Sequence, residues 1–345
     1  MSEPARKLAI VLFNLGGPDK PEAVRPFLRN LFRDPAIIQA PGPIREILAW
    51  LISTLRDKSA RENYDKMGGG SPIMPETLKQ AAGLEAALRD DLAGWEIKIW
   101  PAMRYWHPFT EEVADEVKAW GADETVLLPL YPQFSTTTTG SSLKAWKDAG
   151  GGSARIVGCY PLQADFIQAH ADLIRKTWED AGKPDDARVL YSAHGLPQKI
   201  VDAGDPYQWQ VEQTCAAVAA LLPELPDWQV CYQSRVGPLK WIGPATEEAI
   251  EGAARDKKSI ILTPIAFVSE HIETLVELDE EYQELAEEHG VETYLRVPAL
   301  GDHPGYMAAL AKLVLDVLQR TPDTPTCMGE RICPEGFTAC PCRSA

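Results

Sequence analysis

The sequence predicts an α/β protein built from two doubly wound, parallel sheets. Three observations carry that prediction. Short apolar runs recur along the 345 residues, and stretches with apolar spacing of roughly 3.6 separate them. Strand–helix alternation over such a length implies parallel sheets covered on both faces. The series also divides into two sets of about four strands, with a boundary near residues 150–165 beside the soft stretch Asp148-Ala-Gly-Gly-Gly-Ser153.

Taken in order, the expected strands are Leu8–Leu15, Glu96–Ala102, Thr125–Leu130, Arg155–Cys159, Arg188–Ser192, Gln229–Gln233, Ser259–Ile265 and Glu292–Arg296. Helical spacing fills Pro75–Leu92, Phe109–Trp120, Ala164–Ala181, Pro206–Leu222 and Pro304–Gln319. The long gap after the first strand holds Pro41–Ser59. There Ile44, Ile47, Leu48, Trp50, Leu51, Ile52 and Leu55 leave only a narrow polar face. Two readings stay open for it: a core helix, or an apolar lip beside a large flat ligand or a membrane. Thr321-Pro-Asp-Thr-Pro325 reads as a linker. The expected divisions are therefore 1–155, including the apolar segment 41–59, then 156–320, then a cysteine-rich tail 321–345.

Composition narrows the function. The chain is 45% hydrophobic and 24% charged, which is too apolar for a disordered protein. Lys+Arg 34 against Asp+Glu 50 gives a formal charge of −16. That argues against nucleic acid as a partner and against electrostatic attachment to an anionic membrane. Attachment through an apolar patch stays open. No run reaches the ~18 apolar residues that span a bilayer. Leu8–Leu15 reads as a buried strand rather than a signal peptide. The expected location is the cytoplasm, with peripheral contact at the inner membrane left open.

Nucleotide signatures fail. Asn14-Leu-Gly-Gly-Pro18 follows the first strand but is not GxGxxG, and Met67-Gly-Gly-Gly-Ser71 lacks the lysine of a phosphate loop. Neither ATP nor NAD is indicated. GxSxG is absent too, which counts against an α/β-hydrolase.

Ligands in doubly wound folds sit beyond the C-terminal ends of strands, often in the cleft between halves. Four segments lie in such places. In Tyr191-Ser-Ala-His-Gly-Leu-Pro197, the Gly and Pro after His194 force a tight turn that presents the imidazole. A neutral imidazole is a base near neutral pH and a ligand for divalent iron, although a single histidine is more often structural. In Phe267–Tyr282, Glu270, Glu273, Glu277 and Glu281 recur at spacings of three and four on one helix face. They read either as a solvated face or as an acidic track for a cation or protons, which local π-bulging would align better. In Met103-Arg-Tyr-Trp-His-Pro108, Arg104 could pair with a ligand carboxylate and Tyr105 could flank a planar ring. In Tyr131–Ser142, a run of hydroxyls precedes a helix N-terminus, as N-capping would also require. Together the segments suit a flat, apolar, carboxylate-bearing ligand and a divalent cation.

In this order the segments resemble the ferrochelatases, which insert Fe2+ into a porphyrin to make haem. The resemblance rests on Leu190–Tyr207, Asn14–Pro18, Gly68–Pro72, Met103–Pro108, Leu130–Ser142, Cys231–Gly237 and Ile265–Tyr282, and it spans about residues 6 to 318. It implies a chelatase-like fold of two Rossmann-like domains with the porphyrin gripped in the cleft between them. It implies catalytic and metal-handling roles for His194 and Glu273, with Glu270, His271 and Glu277 in the acidic track. Leu15, Tyr64, Ser71, Arg104, Tyr105, Tyr131 and Ser135 match porphyrin-side positions. The implied substrates are protoporphyrin IX and Fe2+, with coproporphyrin III as the alternative porphyrin. A non-catalytic tetrapyrrole- or metal-binding protein is the competing class. Family members include monomers and homodimers.

Seven cysteines stand at 159, 215, 231, 327, 333, 340 and 342. Sparse cysteines with one crowded tail point to a metal or cluster rather than a disulfide scaffold. Spacing alone does not separate zinc from an iron–sulfur cluster. The resemblance implies a [2Fe-2S] cluster on Cys333, Cys340, Cys342 and the internal Cys159. Animal-type members use a cysteine where this chain has Thr136. Cys215 and Cys231 read as small core residues, and Cys327 is left without a role.

Overall fold

The computed structural model describes residues 5–342 apart from Val236 and Pro238. The chain divides into two compact units. The first comprises the chain through Cys159, Leu310–Ile332 and the residues from Pro341. The second comprises Tyr160–Ala309 and Cys333–Cys340.

In the first unit the order is β1 (Arg6–Asn14), α1 (Val24–Arg33), α2 (Gly42–Lys66), α3 (Ile73–Leu88), β2 (Trp95–Met103), α4 (Thr110–Trp120), β3 (Glu124–Pro129), α5 (Thr139–Asp148) and β4 (Arg155–Cys159). Strand β1 is buried from Leu8 to Asn14 because it sits mid-sheet with helices on both faces. Trp100, Val113, Val117, Leu127 and Trp146 close one side of the core over Ala9, Val11 and Phe13. At ~25 cal/mol per Å² of buried apolar area, such contacts are the main favourable term in folding.

The second unit runs α6 (Ala164–Asp180), β5 (Ala187–His194), α7 (Gln198–Asp202), α8 (Tyr207–Ala220), β6 (Trp228–Gln233), α9 (Thr246–Arg255), β7 (Ser259–Pro264), α10 (Ile272–Leu275), a π-helical turn Glu277–Glu281, α11 (Tyr282–Glu288) and β8 (Tyr294–Arg296). Helix α12 (Pro304–Leu318) then leads back, and β9 (Pro325–Cys327) joins the first sheet.

Every pairing is parallel, and the strand orders are β2-β1-β3-β4-β9 and β6-β5-β7-β8. Both sheets thus wind outward from their first strand. Each has a switch point, between β1 and β3 in one and between β5 and β7 in the other, where helices diverge and leave a crevice. The register aligns the C-terminal ends there. Asn14 lies opposite Met103 and Phe13 opposite Pro129. His194 lies opposite Gln233, and Ser192 opposite Pro264.

All eight expected strands form, with ends displaced by at most two residues. Three expectations are corrected. The tail does not stand apart, because β9 pairs with β4 and the supposed linker is docked: Asp323 N donates to Ala154 O at 2.8 Å, and its carboxylate accepts from Ala154 N and Ser153 Oγ. The first unit reaches Cys159, and α12 divides between the units at Leu310. The core-helix reading of 41–59 fails: Ile44, Ile47, Trp50, Leu51 and Leu55 are exposed, Leu55 at 72%. Among the described residues, no helix is long and apolar enough to cross a membrane.

Candidate active site

His194 ends β5 at the second switch point. The chain turns at once, and Gly195 N donates to Gln233 O at 2.8 Å. A Cβ at Gly195 would lie 2.9 Å from that oxygen, so only glycine lets the turn close this tightly. Tyr207 Oη donates to His194 O at 3.1 Å and fixes the backbone from the other side. The imidazole Nδ1 lies 2.9 Å from Glu273 Oε2, on the short helix α10 that follows β7. The two residues that the family resemblance singled out, 79 positions apart, are therefore in direct hydrogen-bonded contact.

Charge sets the protonation of this pair. Burial opposes a proton on His194, but the Glu273 carboxylate outweighs it and raises the imidazole above its ordinary value. Burial likewise opposes charge on Glu273, yet His194 holds that carboxyl down to about 2. Glu273 thus stabilises the fold above its unfolded value of about 4.5, losing that contribution as pH falls through about 2. His194 contributes fully below its unfolded value of about 6.5 and loses that contribution as pH rises through its elevated folded value. An NMR titration of the protein without added metal should place His194 above 6.5, and Glu273→Gln should lower it. An unchanged His194 titration in Glu273→Gln would remove Glu273 as the cause.

The rest of the acidic track is not uniform. Glu277 sits at the start of the π-helical turn. Its carboxylate accepts from Ser234 N at 2.7 Å, Ser234 Oγ at 2.5 Å, Gln233 Nε2 at 3.1 Å and Tyr282 Oη at 2.9 Å. Burial and the nearby Glu273 still raise its pKa above the ordinary carboxylate value. A π-helical turn does form at Glu277–Glu281, and Tyr282, five residues beyond Glu277, bonds to it. Glu270 is drawn aside: Arg296 donates to it at 2.6 Å and Ala299 N at 2.8 Å. Burial alone would raise Glu270, and Arg296 outweighs it, holding the group below its ordinary value. His271 is buried with Nε2 3.9 Å from Glu273, and burial depresses its protonation. Neighbouring groups pushed in opposite directions are a hallmark of acid–base sites.

The first unit's switch point carries the other expected residues. Leu15 follows β1, and its N–H donates to Asn14 Oδ1 at 2.8 Å. Arg104 and Tyr105 are threaded beside it by backbone bonds to Asn14 O and Leu15 O. One carboxylate organises both side chains. Asp34 Oδ2 accepts from Arg104 Nη2 at 2.7 Å and from Tyr105 Oη at 2.9 Å, and Ser141 Oγ bonds to it as well. Arg104 Nε also donates to Ser141 Oγ at 2.7 Å. Asn30, Arg33, Asp34, Pro35, Arg104 and Phe109 line a pocket of about 240 Å³. Ser71 N donates to Pro18 O at 2.7 Å, and Tyr64 is buried at the end of α2. Tyr131 is half-buried just after β3, while Ser135 Oγ is engaged with Thr137 in a tight turn.

Sequence reasoning missed Asp34, Ser141, Gln233, Ser234 and Arg296. Asp34 precedes Pro35 and accepts from Ala36 N, so in sequence it reads only as a turn residue. Arg296 ends an edge strand and gave no signal.

The cysteines sort by unit. Cys159, at the end of β4, lies with Cys327 and Cys342, the ligand atoms all within 4.8 Å of one another. A disulfide joins Cys327 to Cys342. Cys327, expected to have no role, is therefore part of this group. Cys333 and Cys340 are buried in the second unit. Cys215 and Cys231 are fully buried, and burial pushes the Cys231 thiol up to about 12.

Comparisons with known proteins give the family of the chain. The family model described as Ferrochelatase matches residues 7–318. A ferrochelatase of Caulobacter vibrioides is 61% identical over 340 residues, covering 98% of both chains. A ferrochelatase of Rickettsia bellii is 46% identical over 344 residues, covering 98% of this chain and 95% of its own. Among solved structures, SirB from Bacillus subtilis with Fe3+ aligns with a TM-score of 0.51 at 14% identity, over 91% of this chain and 96% of that one. This likeness extends the chelatase-like fold to a distant relative. The chain belongs to the ferrochelatase family.

Proposed function

We propose that this chain inserts Fe2+ into protoporphyrin IX to give protohaem, the last step of haem synthesis, without ATP. The observation that carries the reading is the 2.9 Å contact between His194 Nδ1 and Glu273, placed at a switch point within a chain of this family.

Metallation must remove two pyrrole protons and strip water from Fe2+. With Nδ1 turned to Glu273, His194 offers Nε2 to the substrate. A neutral Nε2 accepts one pyrrole proton, and Glu273 stabilises the imidazolium that results. Glu277, already shifted toward holding a proton, receives the second. Mixed nitrogen and oxygen donors bind Fe2+ weakly enough to release it to the macrocycle. Glu270, neutralised by Arg296, holds the α10 segment in place rather than the metal. Arg104 on the Asp34 carboxylate is the anchor for a porphyrin propionate. Anaerobic Fe2+ with protoporphyrin IX should give haem absorption, and a parallel assay with coproporphyrin III tests the choice of porphyrin. Absence of haem with both porphyrins would remove the reading.

We also assign a [2Fe-2S] cluster to Cys159, Cys333, Cys340 and Cys342. Two of these four, Cys159 and Cys342, lie with Cys327 in one buried group of sulfurs at the end of β4, while Cys333 and Cys340 come from the family resemblance and are buried thiols of the tail. When bound, the cluster supplies iron–thiolate bonds that tie the tail to the folded protein. Anaerobically purified protein should be reddish and give an EPR signal on reduction. Colourless protein with stoichiometric zinc would overturn the assignment.

A further inference from the structure

Outside the core residues Cys215 and Cys231, Cys327 is the cysteine that neither the proposed chemistry nor the four assigned cluster ligands use. Its position is specific. Strand β9 runs parallel to β4 with Cys327 paired to Cys159, and the two sulfurs are 2.7 Å apart. On its other side Cys327 is bonded to Cys342. The tail is pressed onto β4 there: a Cβ on Gly158 would lie 3.2 Å from Cys342 Sγ and 3.1 Å from Thr326 O. Cys159, Cys327 and Cys342 are all buried, none more than 3% exposed. Cys327 therefore touches two of the expected ligands at once.

Buried thiolates are costly once the counter-charge of a bound metal is removed. A disulfide between two of them is neutral and needs no ligand. We propose that Cys327 closes the cluster site when it empties, by forming the Cys327–Cys342 disulfide. In that step two S–H bonds break and one S–S bond forms. The two protons and two electrons pass to dioxygen, which becomes hydrogen peroxide. The closed form keeps the tail on β4 and withholds Cys342 from a new cluster until a thiol reductant reopens it. The inference rests on the cluster assigned above.

The test uses the full chain purified under nitrogen. Iron and acid-labile sulfide are measured first, so failure of the cluster reading shows before any oxidation. The protein is then held in air until its colour is lost, alkylated in denaturant and digested with trypsin, which cuts after Arg331 and separates Cys327 from Cys342. The expected result is a cross-link between the peptides carrying Cys327 and Cys342, absent before air exposure and localised by fragmentation to Cys342 rather than to Cys333 or Cys340 on the same peptide. With Fe2+ and sulfide but no thiol reductant, air-bleached Cys327→Ser should regain several-fold more visible cluster absorbance than bleached wild type. Cys327→Ala provides the same comparison if the serine variant folds poorly. Loss of colour without that cross-link, or equal recovery by wild type and both variants, would overturn the proposal. Protein lacking iron and sulfide from the start would overturn the cluster and the proposal together.

Discussion

His194→Ala should leave a folded protein whose turnover falls by ~10²–10⁴-fold, the range for loss of a positioned acid–base group. The imidazole is held from two sides: Glu273 aims Nδ1, and Tyr207 fixes the carbonyl of the same residue. Removing the ring deletes the acceptor and leaves the half-buried Glu273 without its main cationic partner. The fold should survive, because the turn is held by backbone bonds through Gly195 rather than by the ring. Porphyrin binding, followed by fluorescence quenching, should persist while haem formation collapses. Turnover within about tenfold of wild type would remove His194 as the acceptor.

Asp34→Ala is expected to cost the most stability, about 3 kcal/mol. Its side chain is only 3% exposed and collects Arg104, Tyr105 and Ser141. Truncation strands a partly buried guanidinium and a phenol whose acidity is already suppressed by burial and by Asp34. The denaturant midpoint should fall with the slope unchanged. Because Arg104 loses its orientation, the KM for porphyrin should rise more than kcat falls. Asp34→Asn keeps the volume and one acceptor, so it should fall between the two. An unchanged midpoint in Asp34→Ala would show that the carboxylate does not organise this corner.

Much of the fold was legible because parallel strands buried on both faces leave a plain record. Runs such as Leu8–Phe13 and Ser259–Pro264 have no exposed side to interrupt them. Strand β9 left no such record. Three residues beginning with proline carry no periodicity, and pairing with β4 alone makes them a strand. Within the site, His194 and Glu273 could be found because they follow strands. The partners that set their environment could not. Ser234 reaches Glu277 across 43 residues of sequence, and Asp34 reaches Ser141 across 107. Such contacts depend on which strand ends the register brings together, and that appears only once the sheet is assembled. In the tail, spacing gave no sign that Cys327 on β9 lies beside Cys342 and Cys159.

The last strand of the first sheet is synthesised only after the whole second sheet. About 165 residues separate β4 from β9, so at about 5–20 residues per second β4 waits roughly 10–30 s for its neighbour. During that interval the whole second sheet is made, while β4 presents an open row of backbone donors and acceptors. The nascent chain thus spends that interval with an unfinished edge, and the arrival of β9 is the event that caps it.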